Sequence, residues 1–178
     1  MKSKFRIDQK ELFKNAKFLA AWLALFLLIY YGTTAVFGWQ ALEALTASTA
    51  AGVLKSFGVS QVSVNYSAMP VLMIVEGKQI LISELCTGFL EALLLATAVL
   101  ASFGIALRKR VYGAIGAVIF GFAFNQLRIF VSIMQVLNTD LKVAELTHDF
   151  FFRLSLLIVI AGYYYWWFKR AVANKRFK

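Results

Sequence analysis

Four long apolar runs constrain this chain more than any other feature of its sequence. They cover approximately residues 18–39, 89–107, 111–134 and 150–168. The hydrocarbon core of a bilayer is about 30 Å thick, so a helix needs about 20 apolar residues to cross it. With 61% hydrophobic residues, the chain is also more apolar than a typical soluble domain. We therefore predict one all-α transmembrane domain, residues 1–178, with about four transmembrane helices.

The basic residues predict how these helices are oriented. Of 19 Lys and Arg, six lie in the first 17 residues, three form Arg108-Lys109-Arg110, and five follow residue 168. Because Lys and Arg concentrate on the cytoplasmic side of membrane helices, both termini and a short turn at 108–110 are predicted to be cytoplasmic. These positions argue against a nucleic-acid-binding face, despite the net charge of +10. The first run lacks a small-residue cleavage pattern after it, so we expect it to stay as an anchor.

Two loops are then predicted to face outward. The longer loop, about residues 40–85, starts with a segment at 41–57 that is typical of an amphipathic or interfacial helix. Further on, residues 71–82 predict two short strands joined at Glu76-Gly77-Lys78. The shorter loop covers about residues 135–148. The predicted fold is therefore four transmembrane helices with an interfacial helix and a short β-hairpin in the outer loop.

Three reactive side chains are predicted to lie at one membrane depth. Cys86 stands at the outer mouth of the second run, and His148 stands at the outer mouth of the fourth. Arg128 follows Val111 by 17 residues, which is about 26 Å of helical rise and reaches the outer interface. Ionisable groups in a membrane are costly and mark either a site or a buried pair. Three separate segments therefore predict an active site at the outer face of a multi-pass protein of the cell membrane.

The chemistry of these groups suits a cysteine nucleophile. A thiolate is stabilised by a helix N-terminus or a nearby cation, and Cys86 is predicted to lie near the second helix and near Arg128 or a protonated His148. His148 could take the thiol proton and return it to a leaving amine. Arg128 and Asn125 could donate hydrogen bonds to the oxyanion of a tetrahedral intermediate. In the structural alternatives, Cys86 is a small packing residue and Arg128 extends to the interface or pairs with an acid.

Polar residues of the third run are predicted to lie on one helix face. They recur at offsets of three, four and three, and are Asn125, Arg128, Ser132 and Gln135. Small residues at a four-residue spacing extend this face inward, namely Gly113, Ala117 and Gly121. Small residues let neighbouring helices approach closely, so this face should contact the bundle and not lipid.

Other polar residues near the predicted site are candidates for supporting roles. They are Glu84, Thr87, Glu91, Asp149 and Arg153. Glu91 and Arg153 each lie five residues beyond Cys86 or His148, so their depths should match. We expect a structural ion pair between them, which would offset the cost of burying either charge. The functional alternative makes Arg153 a second donor to a developing anion.

Short sequence blocks in this chain resemble those of the archaeosortase/exosortase family. The blocks are Glu84-Leu85-Cys86-Thr87-Gly88-Phe89, Asn125-Gln126-Leu127-Arg128-Ile129 and His148, within about residues 84–168. The resemblance implies a membrane cysteine protease and transpeptidase with a Cys, Arg and His triad. Its partners would be the C-terminal tails of secreted surface proteins, each made of a short motif, a transmembrane helix and a basic cluster. Cys86 would form a thioester that a lipid amine or another cell-surface group resolves. The chain departs from long exosortases, which have more membrane spans.

Other enzyme classes fit the sequence less well. It contains no Gly-x-Ser-Gly motif of an intramembrane serine protease. A single histidine cannot form the His-Glu-x-x-His motif of a metalloprotease, so we expect neither a metal nor another cofactor. The non-enzymatic alternative is a membrane scaffold or a small transport subunit, in which the polar face of the third run serves only helix packing.

Overall fold

The computed structural model describes residues 9–139 and 152–173 as an α-helical bundle with a small sheet at one end. The elements are α1 (Gln9–Ser56), β1 (Val62–Asn65), β2 (Val71–Val75), β3 (Lys78–Ile82), α2 (Phe89–Leu100), α3 (Leu107–Asn138) and α4 (Phe152–Ala173). A single 3-10 turn (Glu84–Cys86) follows β3. The predicted outer loop therefore holds the sheet, and the apolar runs form the helices.

Helix α1 changes direction at Gly38. This residue has φ 68° and ψ 165°, a conformation that glycine adopts without steric penalty. The helix therefore consists of two segments, residues 9–37 and 39–56. The break confirms the predicted boundary between the first apolar run and the helix at 41–57. In the second segment Ala47, Ala50 and Leu54 recur at helical spacing and are buried against the sheet.

The sheet is antiparallel and has the strand order β1-β2-β3. Strands β2 and β3 confirm the predicted hairpin at 71–82, with Val75 paired to Lys78 across a two-residue loop. Both loop residues, Glu76 and Gly77, have positive φ, as in the tight turns that suit twisted strands. The hairpin prediction did not include β1. Its sequence, Val-Ser-Val-Asn, alternates apolar and polar residues over only four positions, which is a weak signal.

The molecule has one apolar core beneath the sheet and another among the helices. Beneath the sheet, Met73 and Val75 of β2 pack against Ile129 and Ile133 in the second half of α3. The other core joins α2, the first half of α3 and α4. It includes Leu95, Val99, Ala114, Ala117, Trp167 and Ala171. Helix α3 therefore contributes to both cores and connects the two ends of the bundle.

The small residues on the first half of α3 are contact points, as predicted. A Cβ atom added at Gly113 would lie 2.1 Å from Nε1 of Trp167 in α4. One added at Gly121 would lie 3.1 Å from Cβ of Ala92 in α2. Ala117, between these two glycines, is fully buried. This face of α3 therefore lets α2 and α4 approach its backbone closely.

Two helical segments within the described residues are long and apolar enough to cross a membrane. They are Ala16–Ser56 and Leu107–Asn138. The first contains the predicted first run together with most of the segment at 41–57, and the second contains the predicted third run. Helix α4 starts at Phe152, and residues 150 and 151 of the predicted fourth run lie outside the described part.

The predicted second run, 89–107, is not one helix. Helix α2 has 12 residues, a rise of about 18 Å. The chain turns at residues 101–106, before the predicted turn at 108–110, and Arg108-Lys109-Arg110 belong to the first turn of α3. The apolar run continues through this turn because Phe103 and Ile105 are apolar, and Ile105 is buried in the helical core. The end of α2 therefore cannot be located from hydropathy.

The contact between Gly113 and Trp167 predicts a selective effect of added side-chain volume. We expect Gly113→Ala to destabilise the protein by about 1–3 kcal/mol, because the methyl group would overlap the indole ring. Gly162→Ala in α4 is the matched control, since a Cβ there has no neighbour within 4 Å. It should be neutral or stabilising because alanine favours helix. Thermal unfolding of the detergent-purified proteins checks this, and equal midpoints for both variants would contradict the described packing.

Candidate active site

Cys86 lies where the sheet passes into α2. The 3-10 turn that contains it is held by hydrogen bonds from the Cys86 N–H to the Ser83 carbonyl (2.8 Å) and from the Thr87 N–H to the Glu84 carbonyl (3.1 Å). The half-buried sulfur points back toward β3. It lies 3.7 Å from the Ser83 hydroxyl oxygen and 4.0 Å from the Leu81 carbonyl oxygen. The turn therefore places the thiol beside the end of a strand.

Thr87 and Gly88 connect the thiol to α2, which begins at Phe89. The buried Thr87 hydroxyl donates to the Glu84 carbonyl (2.7 Å) and accepts a hydrogen bond from the Phe89 N–H (3.3 Å). Thr87 thus satisfies one of the free N–H groups at the start of the helix. Gly88 has φ 66°, in the left-handed region that favours glycine. The sharp connection keeps Cys86 next to the N-terminal end of α2.

Asn125 fastens α3 to this connection. Its side-chain Nδ2 donates to the Cys86 carbonyl at 2.8 Å, and the residue is only 1% exposed. A Cβ atom at Gly88 would lie 2.5 Å from Cγ of Asn125, so the absence of a side chain at Gly88 permits the approach. We expected Asn125 to donate to an oxyanion. That role stays a prediction; in the structure its Nδ2 holds the backbone of the candidate nucleophile.

Arg128 lies one helical turn beyond Asn125 and faces the same segment. Its Nη2 donates to the Leu85 carbonyl at 3.1 Å. Its Nε is buried and has no hydrogen-bond partner among the described residues. Arg128 and Cys86 both line a cavity of about 180 Å³ between β3 and α3. The structure therefore brings together the predicted cysteine and arginine.

The remaining predicted site residues differ in what the structure shows of them. Ser132 lines the same cavity and donates to the Arg128 carbonyl at 2.9 Å. Gln135 is half-buried, and its Oε1 has no partner among the described residues. Glu84 is exposed, and Glu91 is half-buried in the first turn of α2.

His148 and Asp149 lie outside the described residues, as does the side chain of Arg153. The contact of His148 with the site and the ion pair between Glu91 and Arg153 therefore stay predictions.

Two features of the site were missed by the sequence analysis. One is the position of the Leu81 carbonyl beside the thiol, which depends on how the chain turns after β3. The other is the steric requirement for Gly88, although a glycine just before a predicted helix is a usable signal.

The site and the basic residues of α3 occupy opposite ends of this helix. Lys109 donates to the Ala171 carbonyl in α4 (2.9 Å), and Arg110 donates to the Leu100 carbonyl at the end of α2 (2.7 Å). Arg128 lies 18 residues beyond Arg110, which corresponds to about 27 Å of helical rise. This distance is close to the thickness of a bilayer's hydrocarbon core.

A family model described as transmembrane exosortase matches residues 12–166. This range includes Cys86, Asn125, Arg128 and His148 as well as most of the helical bundle. No curated protein and no solved structure matches the chain.

The close approach of Asn125 to Gly88 makes a testable prediction. Gly88→Ala and Gly58→Ala both place a side chain at positive φ (66° and 88°), which costs about 1–2 kcal/mol. Only Gly88→Ala also forces a clash, because Gly58 has no neighbour within 4 Å of an added Cβ. We therefore expect Gly88→Ala to be about 1–3 kcal/mol less stable than Gly58→Ala in thermal unfolding. Equal losses of stability would mean that the Asn125 contact is absent.

Proposed function

Because the chain belongs to the transmembrane exosortase family, we propose that it is a membrane cysteine protease and transpeptidase. Its substrates are the C-terminal sorting tails of surface proteins, each made of a short motif, a transmembrane helix and a basic cluster. The observation that carries this proposal is the shared cavity of Cys86 and Arg128 at the sheet end of the bundle. A thiol beside a guanidinium can form a nucleophile and stabilise the negative charge that its attack creates.

The proposed reaction begins with attack of the Cys86 sulfur on the carbonyl carbon of the scissile peptide bond. His148 accepts the thiol proton as the C–S bond forms and the carbonyl oxygen becomes an oxyanion. The tetrahedral intermediate then collapses and the C–N bond breaks. His148 gives the proton to the leaving amine, so the tail departs as a free peptide and the surface protein remains as a thioester on Cys86.

The second half of the reaction resolves the thioester. An acceptor amine or hydroxyl group, from a lipid or another cell-surface molecule, attacks the thioester carbonyl. The C–S bond breaks, His148 takes the acceptor proton and returns it to the sulfur, and the protein is joined to the acceptor. Water in place of the acceptor gives simple cleavage. No cofactor or metal enters either half of the reaction.

Arg128 and Asn125 have different roles in this proposal. Arg128 lines the cavity, and its buried Nε is not used by any described residue, so it is available to donate to the oxyanion. Asn125 acts as a positioning residue, since its hydrogen bond to the Cys86 carbonyl fixes the backbone that carries the thiol. Removing Arg128 should therefore lower the rate of the chemical step, as the loss of one oxyanion donor does in other enzymes.

We propose a membrane orientation with four spans, cytoplasmic termini and the active site at the outer face. The two long apolar helices and the family match support a membrane location. The basic residues Lys109 and Arg110 lie at the end of α3 opposite Arg128, which agrees with the rule that cytoplasmic flanks are rich in Lys and Arg. The sheet and the cavity then lie in the outer interface.

The proposed nucleophile predicts that tail processing depends on the thiol of Cys86. In cells that express the Cys86→Ala chain, proteins ending in a short motif, an apolar helix and a basic cluster should keep their tails. Wild-type cells should remove them. Mass spectrometry of the C-termini of membrane-associated proteins measures this, with Ser63→Ala on the exposed face of β1 as a control that should process normally. Unchanged processing by Cys86→Ala would refute the proposed enzyme.

The proposed orientation predicts which positions react from outside. In a Cys86→Ala background, a membrane-impermeant maleimide should label Ser63→Cys in intact spheroplasts. It should label Arg108→Cys only after the membrane is permeabilised, because that residue belongs to the basic cytoplasmic end. The reverse pattern would contradict the orientation. Labelling of the wild-type Cys86 without loss of processing would favour a scaffold or transport subunit over an enzyme.

A further inference from the structure

The outer side of β3 has backbone groups that pair with no other described strand. The Glu76 N–H donates to the Gln61 carbonyl (2.9 Å), so the backbone groups of Glu76 point toward β1. The backbone groups of the preceding residue, Val75, therefore point toward β3, where Val75 pairs with Lys78. Hydrogen-bonded pairs alternate along antiparallel strands. By this alternation, the N–H and C=O groups of Gln79 and Leu81 point away from β2. Such an edge can accept another strand.

This edge ends beside the candidate nucleophile. The Leu81 carbonyl oxygen, which is on the outer side, lies 4.0 Å from the Cys86 sulfur. A strand paired with β3 would place its own backbone about 4.8 Å from that of β3. The sulfur is thus about as far from the Leu81 carbonyl oxygen as the backbone of an added strand would be from the backbone of β3. A peptide on this edge passes within reach of the thiol.

A groove follows the edge between β3 and α3. Its walls are mainly apolar and include Ile80 and Ile82 of β3 and Ile133 and Val136 of α3. At one end Lys78 donates from its ammonium group to the Val136 carbonyl. Toward the other end Arg128 and Cys86 both line the cavity. The contact between Lys78 and Val136 therefore closes one end of the groove. The other end lies at the candidate site.

We propose that the recognition motif of the substrate tail binds as a fourth strand on the outer edge of β3, with its scissile bond beside Cys86. This proposal rests on the proposed function. Main-chain hydrogen bonds with Gln79 and Leu81 hold the motif, and alternate side chains enter the groove toward α3, as in other cases of strand addition. Because four steps along a strand from Lys78 to Ile82 span about 13 Å, the edge holds about four or five residues. The residues that enter the 180 Å³ cavity are small or medium-sized and apolar.

Proline substitutions at the outer edge test the strand pairing. Gln79→Pro and Leu81→Pro each remove one outward N–H group but leave the hydrogen bonds between β2 and β3, and proline is tolerated on edge strands. Gln79→Ala and Leu81→Ala are the matched controls, since they change the side chain and keep the N–H group. We expect each proline variant to process the tail about tenfold more slowly than its alanine control. The assay is the cellular processing measurement described above, with thermal unfolding as the check on folding.

A cross-linking experiment tests the same proposal without proline. A photo-crosslinking amino acid is introduced at position 79, or at position 63 on β1 as a control, in the Cys86→Ala chain. Position 79 should capture unprocessed surface proteins through the segment just before their apolar helix, which mass spectrometry of the cross-linked peptides identifies. Position 63 should not.

The outcomes separate the two proposals. Equal processing by the proline and alanine variants, or equal capture at positions 79 and 63, would overturn strand addition while Cys86-dependent processing still supports the enzyme. Processing that does not depend on Cys86 would overturn the proposed function, and strand addition with it.

Discussion

The hydrogen bond from Asn125 to the Cys86 carbonyl is the interaction on which the rest of the site depends. It joins α3 to the connection between the sheet and α2, so the three elements meet at one point. A buried donor is costly when it lacks a partner, so displacement of either element would leave Nδ2 of Asn125 without this acceptor. The same contact sets the level of Arg128, one turn further along α3. The position of a guanidinium beside the thiol is thus a consequence of how Asn125 packs on Gly88.

The two halves of helix α3 make different contacts. In the first half, small residues at four-residue spacing let the helices pack closely, with Trp167 lying directly over Gly113. In the second half, the same face becomes polar and meets the sheet and the site. One continuous face therefore packs against helices toward the basic end of α3 and lines the candidate site toward the other end. Asn125 and Arg128 are thus held on a long helix, which favours accurate placement of their side chains.

Much of this arrangement could be predicted from the sequence, because it depends on local patterns. The periodicity of α3 indicated its inward face, the Glu76-Gly77 pair indicated the hairpin, and the apolar runs indicated the membrane class. The turn after α2 could not be predicted, since apolar residues such as Ile105 continue the run while the backbone reverses. The hydrogen-bond partner of Asn125 could not be predicted either. It depends on tertiary contact between segments 39 residues apart, which no local pattern encodes.

The shortness of α2 has a consequence for how this helix is held in place. Its 12 residues are fewer than the approximately 20 that a helix needs to cross a hydrocarbon core. Its last carbonyl, on Leu100, accepts a hydrogen bond from Nη1 of Arg110 in the first turn of α3, so the two helices are joined where the chain turns. Helix α2 therefore depends for its position on α3, which holds it through Arg110 at the turn and through Gly121 against Ala92 further along.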